Sequence, residues 1–208
     1  MASGIFTKML GRSGTVTEIP EPKLARFLFA DKRLSWLWLI VRVYVGWQWV
    51  SAAVEKIQGP GWIGSTAGVG LKGFVSGSIA QTAGAHPAVQ GWYGTLLRDL
   101  VLSHVVGWSY VITFGELACG VGLILGIFTG IAAFSGAFMN MNYMMAGAVS
   151  INPVLLFLEL LLILAWRIAG YLGVDFALLP LLGTPWSRGS RTRQSPTPLS
   201  SQTVRSAQ

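Results

Sequence analysis

Residues 106–145 read VGWSYVITFGELACGVGLILGIFTGIAAFSGAFMNMNYMM, and these forty positions hold one charged side chain, Glu116. A bilayer core about 30 Å thick takes about 20 helical residues per crossing. The stretch is therefore long enough for two crossings, predicted at residues 106–125 and 127–145. Between them Gly126-Ile127-Phe128-Thr129-Gly130 carries no charge, which predicts a tight hairpin. Gly122, Gly126 and Gly130 recur four apart and predict a small-residue edge for close packing.

Two further apolar stretches flank this hairpin. Residues 34–57, LSWLWLIVRVYVGWQWVSAAVEKI, predict a first span that Trp36 and Trp38 open at the interface, as aromatic belts do. Gly46 within it allows another helix to approach. Residues 153–171 predict the last span, with Pro153 at a start position that tolerates proline. The 208 residues are 52% hydrophobic and 11% charged, where soluble domains carry about 25% charged residues. The composition predicts an all-α, integral-membrane four-helix bundle in one domain, residues 34–182. An outer segment, residues 58–105, lies between spans one and two. It opens with the turn signal Gly59-Pro60-Gly61. From Pro87 onward Trp92, Leu96, Leu100 and His104 recur four apart, predicting an amphipathic helix along the outer interface.

Charge sets the orientation. Lys8, Arg12, Lys23, Arg26, Lys32 and Arg33 precede the first span, and Arg188, Arg191, Arg193 and Arg205 follow the last. The outer segment beyond Lys56 holds only Lys72 and Arg98. By the positive-inside rule both termini are cytoplasmic, which requires an even number of spans. Residues 1–33 are a basic tail without an apolar h-region, so the first span is expected to direct insertion. Leu24 to Phe29, apolar among basic residues, suits the inner membrane surface. Residues 183–208, rich in Ser, Thr, Arg, Pro and Gln and free of acids, are expected to be a disordered cytoplasmic tail. The topology accounts for the net charge of +7 without a nucleic-acid partner. The multi-pass reading makes the lipid bilayer the first partner, in a bacterial or archaeal cell membrane.

The charges inside the spans are the candidate functional residues: Arg42, Glu116, Glu159 and Arg167. A charge at the bilayer centre costs about 2.5–3.5 kcal/mol on insertion scales, so such residues pair, line cavities or do chemistry. For Glu116, with Arg42 as the candidate partner, a register-fixing ion pair and a cofactor or substrate role both stand open. Arg42 and Lys56, fourteen residues apart, fall within about 40° of one another on one helical face. Lys56 is placed to attract an anion at the outer side. Arg167 can snorkel to the inner interface beside Trp166 and Tyr171. Asn140, Tyr143 and Met144 share a face of span three, with Asn140 either interhelical glue or a ligand. Cys119, the lone cysteine, excludes an intrachain disulfide and reads as a packing residue. His86 and His104 make no metal-ligand spacing by themselves, and no metal is expected.

These residues resemble a family. Arg42-x3-Gly46-x9-Lys56 is similar to the first-helix pattern of DoxX-like membrane proteins. Gly115-Glu116-x5-Gly122-x3-Gly126-x2-Thr129 is similar to that family's second-helix signature and hairpin. The order also fits: one span, a long outer segment with His86-Pro87 and Trp92-Tyr93, then three closely spaced spans. The long outer segment leans towards the DoxD branch, and the resemblance covers about residues 34–180. It implies a four-helix membrane bundle serving quinone-linked oxidation of thiosulfate to tetrathionate, alongside another membrane or periplasmic redox subunit. The family's polar positions fall on Arg42, Lys56 and Glu116.

The expected function is therefore a membrane subunit of a quinone-linked oxidoreductase, with thiosulfate dehydrogenase (quinone) as the candidate activity and quinone as the electron acceptor. In this reading Lys56 and Arg98 attract the oxyanion, and Arg42 and Glu116 are the catalytic pair beside the quinone head. Asn140 and Trp92 complete the substrate-binding set, with Tyr93 and Trp108 bordering the ring. Two rivals are a non-catalytic scaffold of a redox complex, which predicts co-purification with a partner, and a small transporter. Substrate, partner and the existence of a homo-oligomer are not encoded in any motif.

Overall fold

A computed structural model describes residues 21–181. The predicted tail at 183–208 and the basic residues Lys8, Arg12, Arg188, Arg191, Arg193 and Arg205 lie outside the described residues. Among the described residues the chain is all-helical. In chain order it forms α1 (Lys23–Ala30), α2 (Ser35–Gln58), α3 (Val69–Ala80), α4 (Gly91–Leu96), α5 (Val105–Leu125), α6 (Thr129–Met145), α7 (Asn152–Leu164), α8 (Trp166–Ala169) and α9 (Asp175–Leu181). Four of these pack as a ring: α2 against α5 and α7, and α6 against α5 and α7.

Among the described residues two helical stretches are long and apolar enough to cross a membrane, Lys32–Gln58 with 27 residues and Gly91–Leu125 with 35. The second differs from the sequence expectation. Residues 91–104 do not fold over as a separate interfacial helix; they continue into α5 through a π-helical turn, Leu97–Val101, and a 3-10 turn, Leu102–His104. A π turn absorbs an extra residue without ending the helix. The buried stripe is Tyr93, Leu97 and Val101, whereas Trp92, Leu96 and Leu100 of the expected repeat are exposed. The buried stripe packs on Leu71 and Val75 of α3, a helix hidden in the sequence by its glycines.

α6 starts at Thr129 rather than at residue 127, because Gly126 and Phe128 take left-handed conformations, φ 67° and 47°. Gly126 is the αL residue that ends α5, the ordinary role of a C-terminal glycine. The three glycines expected to form one edge therefore serve separately: Gly122 meets Ala132, Gly126 lies against Arg42, and Gly130 lies against Trp166. The expected fourth span breaks at Ala165 into α7 and α8, and no glycine or proline marks that break.

α2 and α5 cross closely at Gly46 and Gly120. A Cβ on Gly46 would stand 2.8 Å from the Gly120 carbonyl oxygen, and one on Gly120 would stand 2.7 Å from that of Gly46. Only glycine permits this approach, and it brings α2 and α5 near enough for long side chains to bridge them. Below the crossing, Trp38, Val45, Leu123, Leu162 and Ile168 fill the interior. The buried polar side chains also lie inside, including Arg42, Thr113, Glu116, Asn140, Glu159 and Asp175. Large apolar side chains face outward from all four helices, among them Trp36, Ile40, Phe114, Phe134, Phe138 and Phe157.

Candidate functional site

The expected Arg42–Glu116 pair does not form. Glu116 is 1% exposed and is held by Lys56, whose Nζ donates to Oε2 at 2.7 Å and to Oε1 at 3.0 Å. The antiparallel register explains the change: with Gly46 opposite Gly120, Glu116 lies towards the C-terminal half of α2. The long Lys56 side chain reaches it from there. Lys56 also stands 5.0 Å over the Trp62 ring, a favourable place for an ammonium. The Tyr143 hydroxyl on α6 donates to the same Glu116 Oε1. One carboxylate thus ties three helices together.

Arg42 has another role. Its Nη1 donates to the Leu123 carbonyl at 3.0 Å and its Nη2 to the Leu172 carbonyl at 2.6 Å. Leu123 is in the last turn of α5, where carbonyls lack intrahelical partners and a cation is favoured. Asp175 works in the opposite sense at the start of α6. It accepts from the Phe128 and Thr129 amides at 2.7 and 2.8 Å, while its own amide donates to Gly126 O at 2.8 Å. Arg42 and Asp175 therefore lock the hairpin between α5 and α6, and the Arg42 position is structural. Asp175, which follows the last expected span, was not among the sequence candidates. Its signal would have been the pairing of an acid with a helix start that has no capping side chain of its own.

Glu159, fully buried on α7, accepts from Trp49 Nε1 at 2.6 Å and from Asn140 Nδ2 at 2.7 Å. Asn140 Oδ1 is buried without a partner. The Trp49 ring stacks on Tyr143 at 6.4 Å, so the Glu159 and Glu116 clusters share a wall. Cys119 Sγ lies 3.2 Å from the Ala132 carbonyl, consistent with packing. Arg167 is half-exposed, 4.0 Å from Glu21 and 6.0 Å over Trp166.

Two cavities meet at Tyr143. A polar one of about 500 Å³ is lined by Gln48, Glu55, Lys56, Glu116, Asn140 and Tyr143, among others. An apolar one of about 450 Å³ is lined by residues including Phe74, Tyr93, Leu97, Phe138, Met139 and Tyr143. Among the described residues Tyr143 is the one that lines both. Tyr93 closes the apolar cavity towards Asn142, donating to its Oδ1 at 3.0 Å. The candidates Lys56, Glu116 and Asn140 thus come together. Arg98 and Trp92 are exposed on the helical rod and line neither cavity. Tyr143 and Trp49 gain a weight the sequence did not assign them. The signal for Tyr143 was a phenol one turn from Asn140 in an otherwise apolar helix.

No family model matches the chain, and no curated protein or solved structure matches it either.

Proposed function

We propose that the bundle sits in a cell membrane, with α2, α5, α6 and the α7–α8 pair as four crossings. The support is the inverted polarity of the fold. Buried positions hold carboxylates, an amide and a guanidinium, while rings and branched aliphatics lie on the outside of α2, α5, α6 and α7. Exposed apolar surface of that extent marks a membrane or a partner. Lys23, Arg26, Lys32, Arg33 and Arg167 gather at the end where α2 begins and α8 stops, which by the positive-inside rule is cytoplasmic.

Within the membrane the proposed activity is that of a subunit of an oxidoreductase passing electrons to quinone, the reaction class the DoxX-like motifs imply. One observation carries it: a phenol–carboxylate pair, Tyr143 with Glu116, stands where an apolar cavity meets a polar one. The apolar cavity's size falls in the range of small-molecule sites, about 300–1,000 Å³. Its aromatic walls, and the Tyr143 hydroxyl shared with the polar cavity, fit a quinone head. A bound quinone would accept two electrons. Phe74, Tyr93 and Met139 of this chain would line the ring's site, and Tyr143, backed by Glu116, would hold a proton at its hydroxyl. The polar cavity lined by Lys56 and Glu116 is the proposed route for the proton.

The electron donor proposed from the resemblance is thiosulfate, which balances as two thiosulfates and one quinone with two protons giving one tetrathionate and one quinol. Lys56 remains the anion-facing cation of the polar cavity, and an anion there competes with Glu116 for it. A partner redox subunit completes the proposal. The test is thiosulfate-dependent reduction of a soluble quinone analogue by membranes holding this chain, with and without Tyr143→Phe. Reduction that falls at least tenfold in the variant supports the reading. Full activity in the variant overturns the role of Tyr143. No activity in a folded, inserted chain that co-purifies with a redox protein supports the scaffold instead.

A further inference from the structure

We infer that the cytoplasmic end carries a binding site for the headgroup of an anionic phospholipid, built from α1 and the turn into α2. The inference rests on the membrane placement and is independent of the redox reading. Between α1 and α2 the chain reverses at residues 30–34, and Lys23, Arg26, Phe27, Asp31, Lys32 and Arg33 line an open concavity of about 620 Å³. The reversal is fixed. Asp31 Oδ1 accepts from the Arg33 amide at 2.9 Å and the Asp31 carbonyl accepts from Leu34 at 3.0 Å. The acid is thereby turned to the backbone. Lys32 stands 5.0 Å over the Tyr171 ring, and Trp38 Nε1 donates to Leu28 O at 2.9 Å, so α1 is held on the bundle.

Among the described residues Lys23, Arg26 and Arg33 enter no ion pair. Three such cations around one concavity call for an anion, and arginine forks match phosphate oxygens. Position selects a lipid over a free phosphate. Leu24 and Phe27 of α1 are exposed beside the concavity, and Trp36, Leu37 and Ile40 continue the apolar surface directly down α2. A phosphate held by Arg26 and Arg33 would leave its acyl chains on that surface, with Trp36 at headgroup level.

The experiment uses the full chain in phosphatidylcholine nanodiscs, with phosphatidylglycerol added and its retention counted by native mass spectrometry. Basic residues near an anionic surface contribute about 1 kcal/mol each, or about fivefold. Arg26→Gln with Arg33→Gln should therefore lower phosphatidylglycerol retention roughly 25-fold while leaving helicity and melting temperature in place. Lys72→Gln with Arg98→Gln, at the opposite end, should leave retention unchanged. Equal retention in the two double variants would show only annular lipid and overturn the site. Displacement of the lipid by millimolar inorganic phosphate would reassign the site to a soluble anion and likewise overturn the proposal. Failure of the wild-type chain to enter bilayers would overturn the membrane placement itself, a different result from either.

Discussion

Replacing Lys56 by Met should be among the most damaging single changes in the bundle. Glu116 is 1% exposed and Lys56 17% exposed at the side chain, with Nζ 2.7 Å from Oε2. Removing one partner of a buried pair leaves an uncompensated charge and costs about 3–5 kcal/mol. For a chain of this size 1 kcal/mol moves the melting temperature by about 2–4 °C, so the expected fall is roughly 6–20 °C. The partners differ in exposure, and this gives a sharper expectation. In Glu116→Gln the stranded lysine can turn to the water of the polar cavity, while Tyr143 keeps a hydrogen-bond acceptor, so the loss should be smaller. In Lys56→Met the carboxylate has only the Tyr143 hydroxyl. The double change Lys56→Met with Glu116→Leu should recover most of the loss, since well-packed apolar residues often match or exceed a buried pair. Melting of the wild-type protein, Lys56→Met, Glu116→Leu and the double change in the same micelles gives the double-mutant cycle, with Glu116→Gln measured beside it. A Lys56→Met loss below about 1 kcal/mol, the scale of an exposed pair, would show that Lys56 and Glu116 are not a desolvated pair and would refute the reasoning.

Other expectations concern packing, capping and the second carboxylate. Gly46→Ala places a methyl 2.8 Å from the Gly120 carbonyl and should cost about 1–3 kcal/mol as overpacking. Gly73→Ala and Gly77→Ala, with nothing within 4 Å of the new atom, should be neutral or gain up to about 1 kcal/mol from helix propensity; melting curves of the three distinguish them. Asp175→Ala should cost about 0.5–2 kcal/mol as a lost cap, with faster amide exchange at Phe128 and Thr129. Glu159→Gln sets an amide NH₂ against the Trp49 or Asn140 donor and should cost about 1–3 kcal/mol. Trp49 emission, read in a background lacking the other tryptophans, should shift; unchanged emission would refute the Trp49–Glu159 bond.

The sequence foretold which polar residues go inside more readily than which ones meet. The apolar runs locate α2, α5 and α6 to within two or three residues, because length and hydrophobicity decide them. Partner choice depends on helix register, and register here follows from the Gly46–Gly120 crossing, a relation between two residues 74 positions apart that no local pattern encodes. Arg42 and Lys56 share a face, as their spacing implies, but a shared face does not say which receives the carboxylate. The outer segment was misread for a different reason. Its repeat of four is genuine, yet the neighbouring residues Tyr93, Leu97 and Val101 are the ones buried, and the helix runs on into α5 through the π turn at Leu97–Val101. α3 escaped because glycines at 70, 73 and 77 lower helix propensity, while packing of Leu71 and Val75 decides its structure.

Arg42 and Lys56 show how one helical face can carry two cations with unlike roles. Arg42 is bound to backbone carbonyls, Leu123 and Leu172. Those acceptors cannot take up a proton or leave, so the contact fixes geometry and does nothing else. Lys56 is bound to a carboxylate that also accepts from a phenol and borders a water-sized space. Each member of that group can exchange its partner or its proton. The proposed chemistry therefore belongs to the end where the cation meets a side chain, and the opposite end, where it meets the backbone, is the clamp that keeps α5 and α6 in register.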